Sequence, residues 1–191
     1  MMRDLDRLLD ILAARSARRG EFTLASGRQS SLYIDARLTT MSPDGMSLIG
    51  PLALETIDEA GWRVDAIGGL TLGADPVSYA ISYASALREQ GGGPPALRAF
   101  TVRKEPKAHG TGKLIEGPFR SGDRVVLIED VVTTGGSARR AAAAVRQGGG
   151  EILGVLALVD REEGGREALE AEGLSVRALA TASDLLPLLG S

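Results

Sequence analysis

The chain of 191 residues carries 22 Lys and Arg residues against 25 Asp and Glu residues, so a net charge of -3 argues against a polybasic nucleic-acid binder or an acidic tail. Its 43% hydrophobic residues suffice for one compact domain and exclude intrinsic disorder. Cysteine is absent, which excludes disulfides, Cys-ligated zinc, iron–sulfur clusters and thiol nucleophiles. Histidine occurs once, at His109, so a catalytic zinc site or a Ser-His-Asp triad would depend on that residue alone.

The sequence gives no indication of secretion or membrane insertion. Residues 1–6 include acidic side chains and lack the continuous apolar segment of a signal peptide. No stretch approaches the ~18 apolar residues that a membrane helix needs. We therefore expect a soluble, cytoplasmic protein.

The N-terminal third predicts two helices around a short strand. Leucines recur at helical spacing over residues 4–19, which predicts an amphipathic helix that ends at Gly20. Residues 31–35 alternate as a short strand does, and residues 44–60 predict a second helix with a kink at Pro51.

From residue 64 onward, predicted strands alternate with predicted helices. The strands are residues 64–67, 96–102, 124–128, 152–159 and 174–180, and the helices are residues 76–88 and 137–147. Residues 124–128 form a β-branched apolar run without alternation, as expected of a central strand that is buried on both faces of a parallel sheet. The pattern predicts one α/β domain, with a mostly parallel central sheet flanked by helices.

A glycine-rich segment follows the predicted central strand. Residues 127–137 read Leu-Ile-Glu-Asp-Val-Val-Thr-Thr-Gly-Gly-Ser, so the strand ends in two carboxylates, Glu129 and Asp130, before a loop opens a helix. Glycines let a ligand approach the backbone, and the N–H groups at a helix N-terminus suit a phosphate. Two carboxylates would repel a phosphate and suit sugar hydroxyls or developing positive charge instead. A shorter Asp-x-x-Thr-Gly segment would more often be an ordinary turn, but the full string favours a ligand site.

This string resembles the 5-phosphoribosyl 1-diphosphate (PRPP) signature of type I phosphoribosyltransferases. The resemblance implies that the acid pair holds the ribose 2- and 3-hydroxyls and that the loop amides hold the 5-phosphate. The PRPP-binding residues it implies in this segment are Glu129, Asp130, Val131, Val132, Thr133, Thr134, Gly135, Gly136 and Ser137.

Residues 103–117 are polar, spaced by glycines and without periodicity, which predicts a surface loop. The loop contains Arg103, Lys104, Lys107 and the single histidine, His109. Cations on a mobile loop can close over a diphosphate and stabilise a leaving group. The alternative interpretation is a solvated lysine loop.

This loop resembles the catalytic loop, Arg-Lys-x-x-Lys-x-His-Gly, of the orotate phosphoribosyltransferase branch, and every fixed position is present. The resemblance implies that Arg103, Lys104, Lys107 and His109 contact the diphosphate of PRPP, and that Lys104 is catalytic together with the acid pair. It also implies a homodimer in which the loop reaches into the neighbouring subunit's active site.

Three further segments resemble parts of the same branch. Residues 22–30 resemble part of the hood over orotate, and residues 69–76 resemble a diphosphate-binding loop. Residues 159–165 resemble the segment whose arginine, here Arg161, pairs with the orotate carboxylate, for which a guanidinium fork is suited. The resemblance assigns orotate binding to Arg161 and Thr133. Without it, a surface ion pair with a neighbouring glutamate is the preferred interpretation of the arginine.

The chain departs from the family pattern at two positions. Many members carry lysines where this chain has Ala25 and Leu72, so two expected positive contacts are missing. Because other bacterial members have small or apolar residues there, we interpret the departures as those of a subtype.

The resemblance implies a single-domain orotate phosphoribosyltransferase. Its hood would be formed by about residues 1–40 and C-terminal elements, its core by about residues 44–180, and its mobile loop by about residues 103–117. It would transfer the 5-phosphoribosyl group from PRPP to orotate, giving orotidine 5'-phosphate and diphosphate in pyrimidine biosynthesis. Magnesium would bind mainly through the diphosphate, so no metal site built from protein ligands is expected.

Two alternatives remain at this point, and neither a nucleic-acid nor a membrane partner is expected. The first is a phosphoribosyltransferase that acts on a purine, against which the hood segment and Arg161 favour orotate. The second is a non-catalytic PRPP-sensing regulator, which the retained loop cations and the lack of a DNA-binding motif disfavour.

Overall fold

The computed structural model describes residues 3–23, 29–105 and 113–190. In chain order its elements are α1 (Asp4–Ile11), a π-helical turn (Leu12–Ser16), β1 (Ala17–Thr23), β2 (Gln29–Ile34), α2 (Arg37–Thr40), α3 (Pro43–Glu59), β3 (Ala66–Leu70), α4 (Ala74–Gln90), β4 (Arg98–Val102), β5 (Ile115–Glu116), β6 (Arg124–Val132), α5 (Gly136–Gln147), β7 (Glu151–Asp160), α6 (Gly165–Glu170), β8 (Val176–Thr181), α7 (Ala182–Leu185) and a 3-10 turn (Leu186–Leu188).

Six strands form the main sheet, in the order β5-β4-β3-β6-β7-β8. Neighbouring strands run parallel except for β5, which pairs antiparallel with β4. β6 lies in the middle, and its residues 125–128 are completely buried. The predicted α/β fold and the predicted central strand are therefore confirmed.

Apolar side chains of β6 point alternately to the two faces of the sheet. Val126 and Ile128 belong to a cluster that also contains buried residues of α1, α3 and α4, whereas Val125 and Leu127 pack in a second cluster with α5. The alanines of α5 account for much of its buried face. Since both faces are covered, every apolar residue of the strand contributes to a core.

The N-terminal helical segment is shorter than the leucine spacing predicts. The chain becomes extended at Ala17, with φ -105° and ψ 142°, and β1 then pairs antiparallel with β2. The Asp35 amide also donates to the Ser16 carbonyl at 2.8 Å. Strand pairing therefore outweighs the helical pattern, and Gly20 lies inside a strand rather than at a helix end.

Two other predictions need correction in their bounds. β6 continues through Glu129 and Asp130 to Val132, because its last residues still pair with β7. The predicted loop over residues 103–117 contains β5, which pairs with β4. In the described part of the chain, no helix has the length and apolar character that spanning a membrane requires.

We expect Asp123 to be a main electrostatic support of the sheet's amino-terminal edge. Its carboxylate is 5% exposed and accepts hydrogen bonds from the Arg98 guanidinium at 2.6 and 2.9 Å and from the Arg120 amide at 2.8 Å. Asp123→Ala leaves these donors without their acceptor, so urea denaturation should show a loss of about 2–3 kcal/mol in the free energy of unfolding.

The matched control is Asp58→Ala, which removes the more exposed partner of Arg88. Surface ion pairs contribute little, so this variant should lose less than about 1 kcal/mol. Equal losses in the two variants would contradict the role assigned to Asp123.

Candidate active site

A cavity of about 420 Å³ lies where β3 and β6 end. Five segments contribute to its described lining. They are Tyr33, Ile34, Asp35, Ala36 and Arg37 at and after the end of β2, Leu70, Thr71, Leu72 and Gly73 at and after the end of β3, Lys104 after β4, Glu129, Asp130, Val131, Thr133, Ser137 and Arg140 from β6 to α5, and Arg161 after β7. In open α/β sheets, ligands bind outside the carboxyl ends of the strands. The fold thus brings the two sequence motifs and Arg161 to one place.

The loop between β6 and α5 is shaped by glycine. Gly135 has φ 75°, a left-handed conformation that residues with side chains rarely adopt, and α5 begins at the next residue. An added Cβ at Gly135 would also lie 2.9 Å from the Leu169 side chain. The first turn of α5 presents amide donors that have no acceptor within the helix. The geometry therefore suits a bound anion.

A second glycine holds this loop against the next one along the sheet. An added Cβ at Gly165, the first residue of α6, would lie 2.4 Å from the Thr133 carbonyl oxygen. The start of α6 is thus in direct contact with the backbone of the loop between β6 and α5.

The residues predicted for this loop differ in their positions. Val131, Thr133 and Ser137 line the cavity together with the acid pair. Val132 is buried in the apolar cluster beneath α5, and Thr134 is exposed. Val132 can therefore contact a ligand only through its backbone groups.

The acid pair combines two differently placed carboxyl groups. Glu129 is 6% exposed, and no described residue forms a hydrogen bond with its Oε1. Burial, and then the charge of Asp130, raise the pKa of Glu129 to about 8. Burial also raises the pKa of Asp130, although a hydrogen bond from the Val131 amide lowers it. Glu129 therefore holds a proton at neutral pH.

The turn after β3 lies directly against the acid pair. An added Cβ at Gly73 would lie 2.4 Å from the Asp130 carboxylate oxygens, so a larger residue at this position would displace the carboxylate. The Asp75 carboxylate accepts hydrogen bonds from the hydroxyls of Thr71 at 2.7 Å and Thr101 at 2.8 Å, which joins the turn to β4. Leu72 is 60% exposed on this turn.

Arg161 is buried at 7% exposure, unlike the surface arginine of the alternative interpretation. It donates to the Leu32 carbonyl at 2.5 Å and forms an ion pair with Glu163 at 2.8 Å. The glutamate partner of the alternative interpretation is thus present, but the pair lies at the cavity. These contacts tie the segment after β7 to β2 and fix the position of the guanidinium.

The predicted loop cations are only partly within the described residues. Lys104 lines the cavity, and Arg103 lies 3.5 Å from Glu116 across the base of the loop. Lys107 and His109 lie outside the described residues, as does Ala25.

Sequence reasoning missed four charged residues near or at the cavity. Asp35 and Arg37 form an ion pair at 2.8 Å, and this pairing lowers the pKa of Asp35. Asp75 supports the turn after β3, and Arg140 lines the cavity from α5. Only Arg140 had a usable signal, since it lies three residues after Ser137 and hence on the same helix face.

We expect the buried Glu129 to make stability depend on pH. Because its pKa in the folded protein, about 8, exceeds the ordinary value of 4.5, the folded chain keeps a proton that the unfolded chain releases between these pH values. The contribution of Glu129 to the free energy of unfolding should therefore decrease as the pH rises from about 4.5 to about 8. Glu129→Gln abolishes this contribution, so its melting temperature relative to the unmodified protein should rise by on the order of 10 °C between pH 5 and pH 9.

Thermal melts at several pH values measure this difference directly. Glu55→Gln on α3 changes an exposed glutamate and serves as the control. A melting-temperature difference for Glu129→Gln that stays constant with pH would contradict the buried, protonated state.

Comparisons with known proteins identify the family. No family model matches the sequence. The chain is 43% identical over 189 residues to the orotate phosphoribosyltransferase of Aquifex aeolicus (strain VF5), covering 97% of this chain and all of the relative. It is 47% identical over 184 residues to that of Rhodopseudomonas palustris (strain BisB18), covering 94% of this chain and 95% of the relative.

Solved structures agree with these relatives. The orotate phosphoribosyltransferase of Mycobacterium tuberculosis in complex with PRPP superposes with a TM-score of 0.78 at 40% identity, covering 96% of this chain and 99% of that chain. The adenine phosphoribosyltransferase of Leishmania donovani, at 17% identity and a TM-score of 0.65, shares the fold, over all of this chain and 86% of that chain. With relatives this similar over nearly their whole length, the predicted family is confirmed, and the chain belongs to the orotate phosphoribosyltransferase family with a type I phosphoribosyltransferase fold.

Proposed function

We propose that this chain transfers the 5-phosphoribosyl group from PRPP to orotate, giving orotidine 5'-phosphate and diphosphate in pyrimidine biosynthesis. The observation that carries this proposal is that one cavity contains a glycine-shaped loop at a helix N-terminus, two adjacent carboxyl groups and a buried arginine. These groups match a phosphorylated sugar and a planar carboxylate. The relatives do not favour the alternatives of a purine substrate or a regulator.

The phosphate and ribose of PRPP would bind along the end of β6. The amides of residues 133–137 would hold the 5-phosphate, because these residues form the loop before α5 and the start of the helix, where amide donors have no acceptor within the helix. Glu129 and Asp130 would contact the ribose hydroxyls. A protonated Glu129 can both donate and accept a hydrogen bond, so the pair can hold two hydroxyls without two full negative charges.

Bond breakage would be assisted by charges on both sides of ribose C1. As the bond from C1 to the diphosphate oxygen breaks, its electron pair leaves with the diphosphate and C1 becomes electron-deficient. The orotate nitrogen then forms the new bond to C1, and its proton passes to the departing diphosphate. The acid pair would stabilise the positive ribose, whereas Lys104 would stabilise the negative leaving group. Arg103, Lys107 and His109 would contact the same diphosphate.

Orotate would be oriented by Arg161 and Thr133. The guanidinium is already held by Leu32 and Glu163, so little motion is needed when a planar carboxylate arrives. Thr133 lines the same cavity on the neighbouring segment, since the Arg161 amide donates to the Val132 carbonyl at 3.0 Å, and Thr133 would contact the base beside the ribose.

The cavity suits a magnesium ion that is bound mainly by the substrate. The described residues contain no group of three acidic or histidine side chains that could hold a metal ion. Oxygen donors of Glu129 and Asp130 nevertheless face the cavity, and Mg²⁺ prefers oxygen ligands while keeping several waters. We propose that Mg²⁺ binds mainly through the diphosphate of PRPP, where it would offset negative charge.

We further propose a cytoplasmic homodimer with shared active sites and with no nucleic-acid or membrane partner. Within each chain, residues 1–40 and C-terminal elements would form a hood beside the core of residues 44–180. The lining of the cavity by the segment from Tyr33 to Arg37 supports this division. The loop of residues 103–117 would close the neighbouring site with its central part.

The reaction can be tested by following the ultraviolet absorbance of orotate with protein, PRPP and Mg²⁺. The signal should decrease only in the complete mixture, and not when PRPP or Mg²⁺ is omitted. No decrease, despite a rise in melting temperature with PRPP, would reject orotate as the substrate.

Arg161→Ala should raise the KM for orotate by on the order of 100-fold, because a buried charge-assisted contact is lost. The dissociation constant for PRPP, measured by calorimetry, should change little. Arg177→Ala provides a control, since Arg177 is exposed on β8 outside the cavity. An unchanged KM for orotate in Arg161→Ala would contradict the placement of the base.

Mixing two inactive variants tests whether the active sites are shared. Lys107→Ala mixed with Asp130→Ala should recover up to about one quarter of the activity, since random heterodimers would each contain one intact site. Lys104→Ala mixed with Asp130→Ala is the control and should recover none, because Lys104 lines the cavity of its own chain. No recovery in the first mixture, with exchange of subunits confirmed, would contradict the shared site.

A further inference from the structure

Arg140 is a cation of the cavity that neither sequence motif includes. It lines the cavity with Thr133 and Ser137 and lies in the first half of α5. Residues three apart share a helix face, and long helical side chains lean toward the helix N-terminus. The Arg140 guanidinium is therefore directed toward the loop at the start of α5.

The adjacent arginine has a different role. Arg139 forms an ion pair with Glu172, at 2.6 Å between Nε and Oε1, and donates to the Ala168 carbonyl at 3.4 Å. These contacts hold α5 to the segment around α6. Among the residues that the structure describes, Arg140 forms no hydrogen bond or ion pair.

Arg140 is a cation that can take an anionic partner. It is exposed to solvent and lines the cavity, and its charge acts on the buried Glu129, whose pKa it lowers. A phosphate bound at the start of α5 would accept a charge-assisted hydrogen bond from such a guanidinium.

We propose that Arg140 binds the 5-phosphate of PRPP and adds a side-chain cation to the backbone donors of residues 133–137. This inference rests on the proposed function, which supplies the identity of the phosphate. The other cavity cations in the described lining come from different elements. Arg37, already paired with Asp35, follows β2, Lys104 follows β4 and Arg161 follows β7. Arg140 is the cavity cation on the helix whose N-terminus would hold the 5-phosphate.

Ribose 5-phosphate is the probe that isolates this contact, because it carries the 5-phosphate and no diphosphate. In calorimetric titrations, Arg140→Gln should weaken the binding of ribose 5-phosphate about tenfold, as expected for the loss of a charge-assisted hydrogen bond. Arg140→Lys should recover most of the affinity. Arg146→Gln, at the exposed far end of the same helix, should leave it unchanged.

Two further readouts separate a binding role from a structural one. The KM for PRPP should rise by a similar factor in Arg140→Gln while kcat changes less than about threefold, since the contact exists before and during bond breakage. The inhibition constant of free diphosphate should stay the same. Thermal melting of both Arg140 variants confirms that they are folded.

The inference is overturned if ribose 5-phosphate binds Arg140→Gln as tightly as the unmodified protein, or if diphosphate inhibition weakens to the same degree. Failure of the proposed function would be seen separately, in the unmodified protein, as a lack of orotate consumption. A loss of ribose 5-phosphate affinity in Arg140→Gln would support the phosphate contact even then.

Discussion

The site depends on the burial of β6 on both faces of the sheet. A strand that is covered on both sides must be apolar along its buried length, so polar groups can appear only where it emerges. Glu129 and Asp130 occupy that point, followed by a glycine-shaped loop into α5. The same packing that fixes the strand therefore fixes the position of the acid pair relative to the helix N-terminus.

Incomplete exposure gives the two carboxyls unequal properties. Glu129 still lies largely inside, where its charged form is poorly solvated, whereas Asp130 reaches the cavity and contacts the turn that contains Gly73. Two carboxylates side by side would otherwise repel each other and any nearby phosphate. Because Glu129 is neutral and only Asp130 can carry a full negative charge, the acid pair repels a negatively charged substrate less than two carboxylates would.

The sequence predicted those parts of the structure that local patterns determine. The central strand, the alternation of strands and helices, and the loop before α5 all follow from composition and spacing over short windows. The pairing of β1 with β2 could not be predicted in this way, because it joins a helix-like pattern to a strand that lies beyond it in the chain. The hydrogen bonds of Asp75 and the burial of Arg161 likewise depend on segments distant in sequence.

The close contact between Gly165 and Thr133 has a consequence for communication within the site. The backbone of the loop before α5 lies directly against the backbone of the segment that runs from Arg161 into α6. Because no side chain lies between them at this contact, there is no side-chain rearrangement that could absorb a displacement, so movement of one segment shifts the other. A ligand that orders one of these segments would therefore restrain the other segment as well.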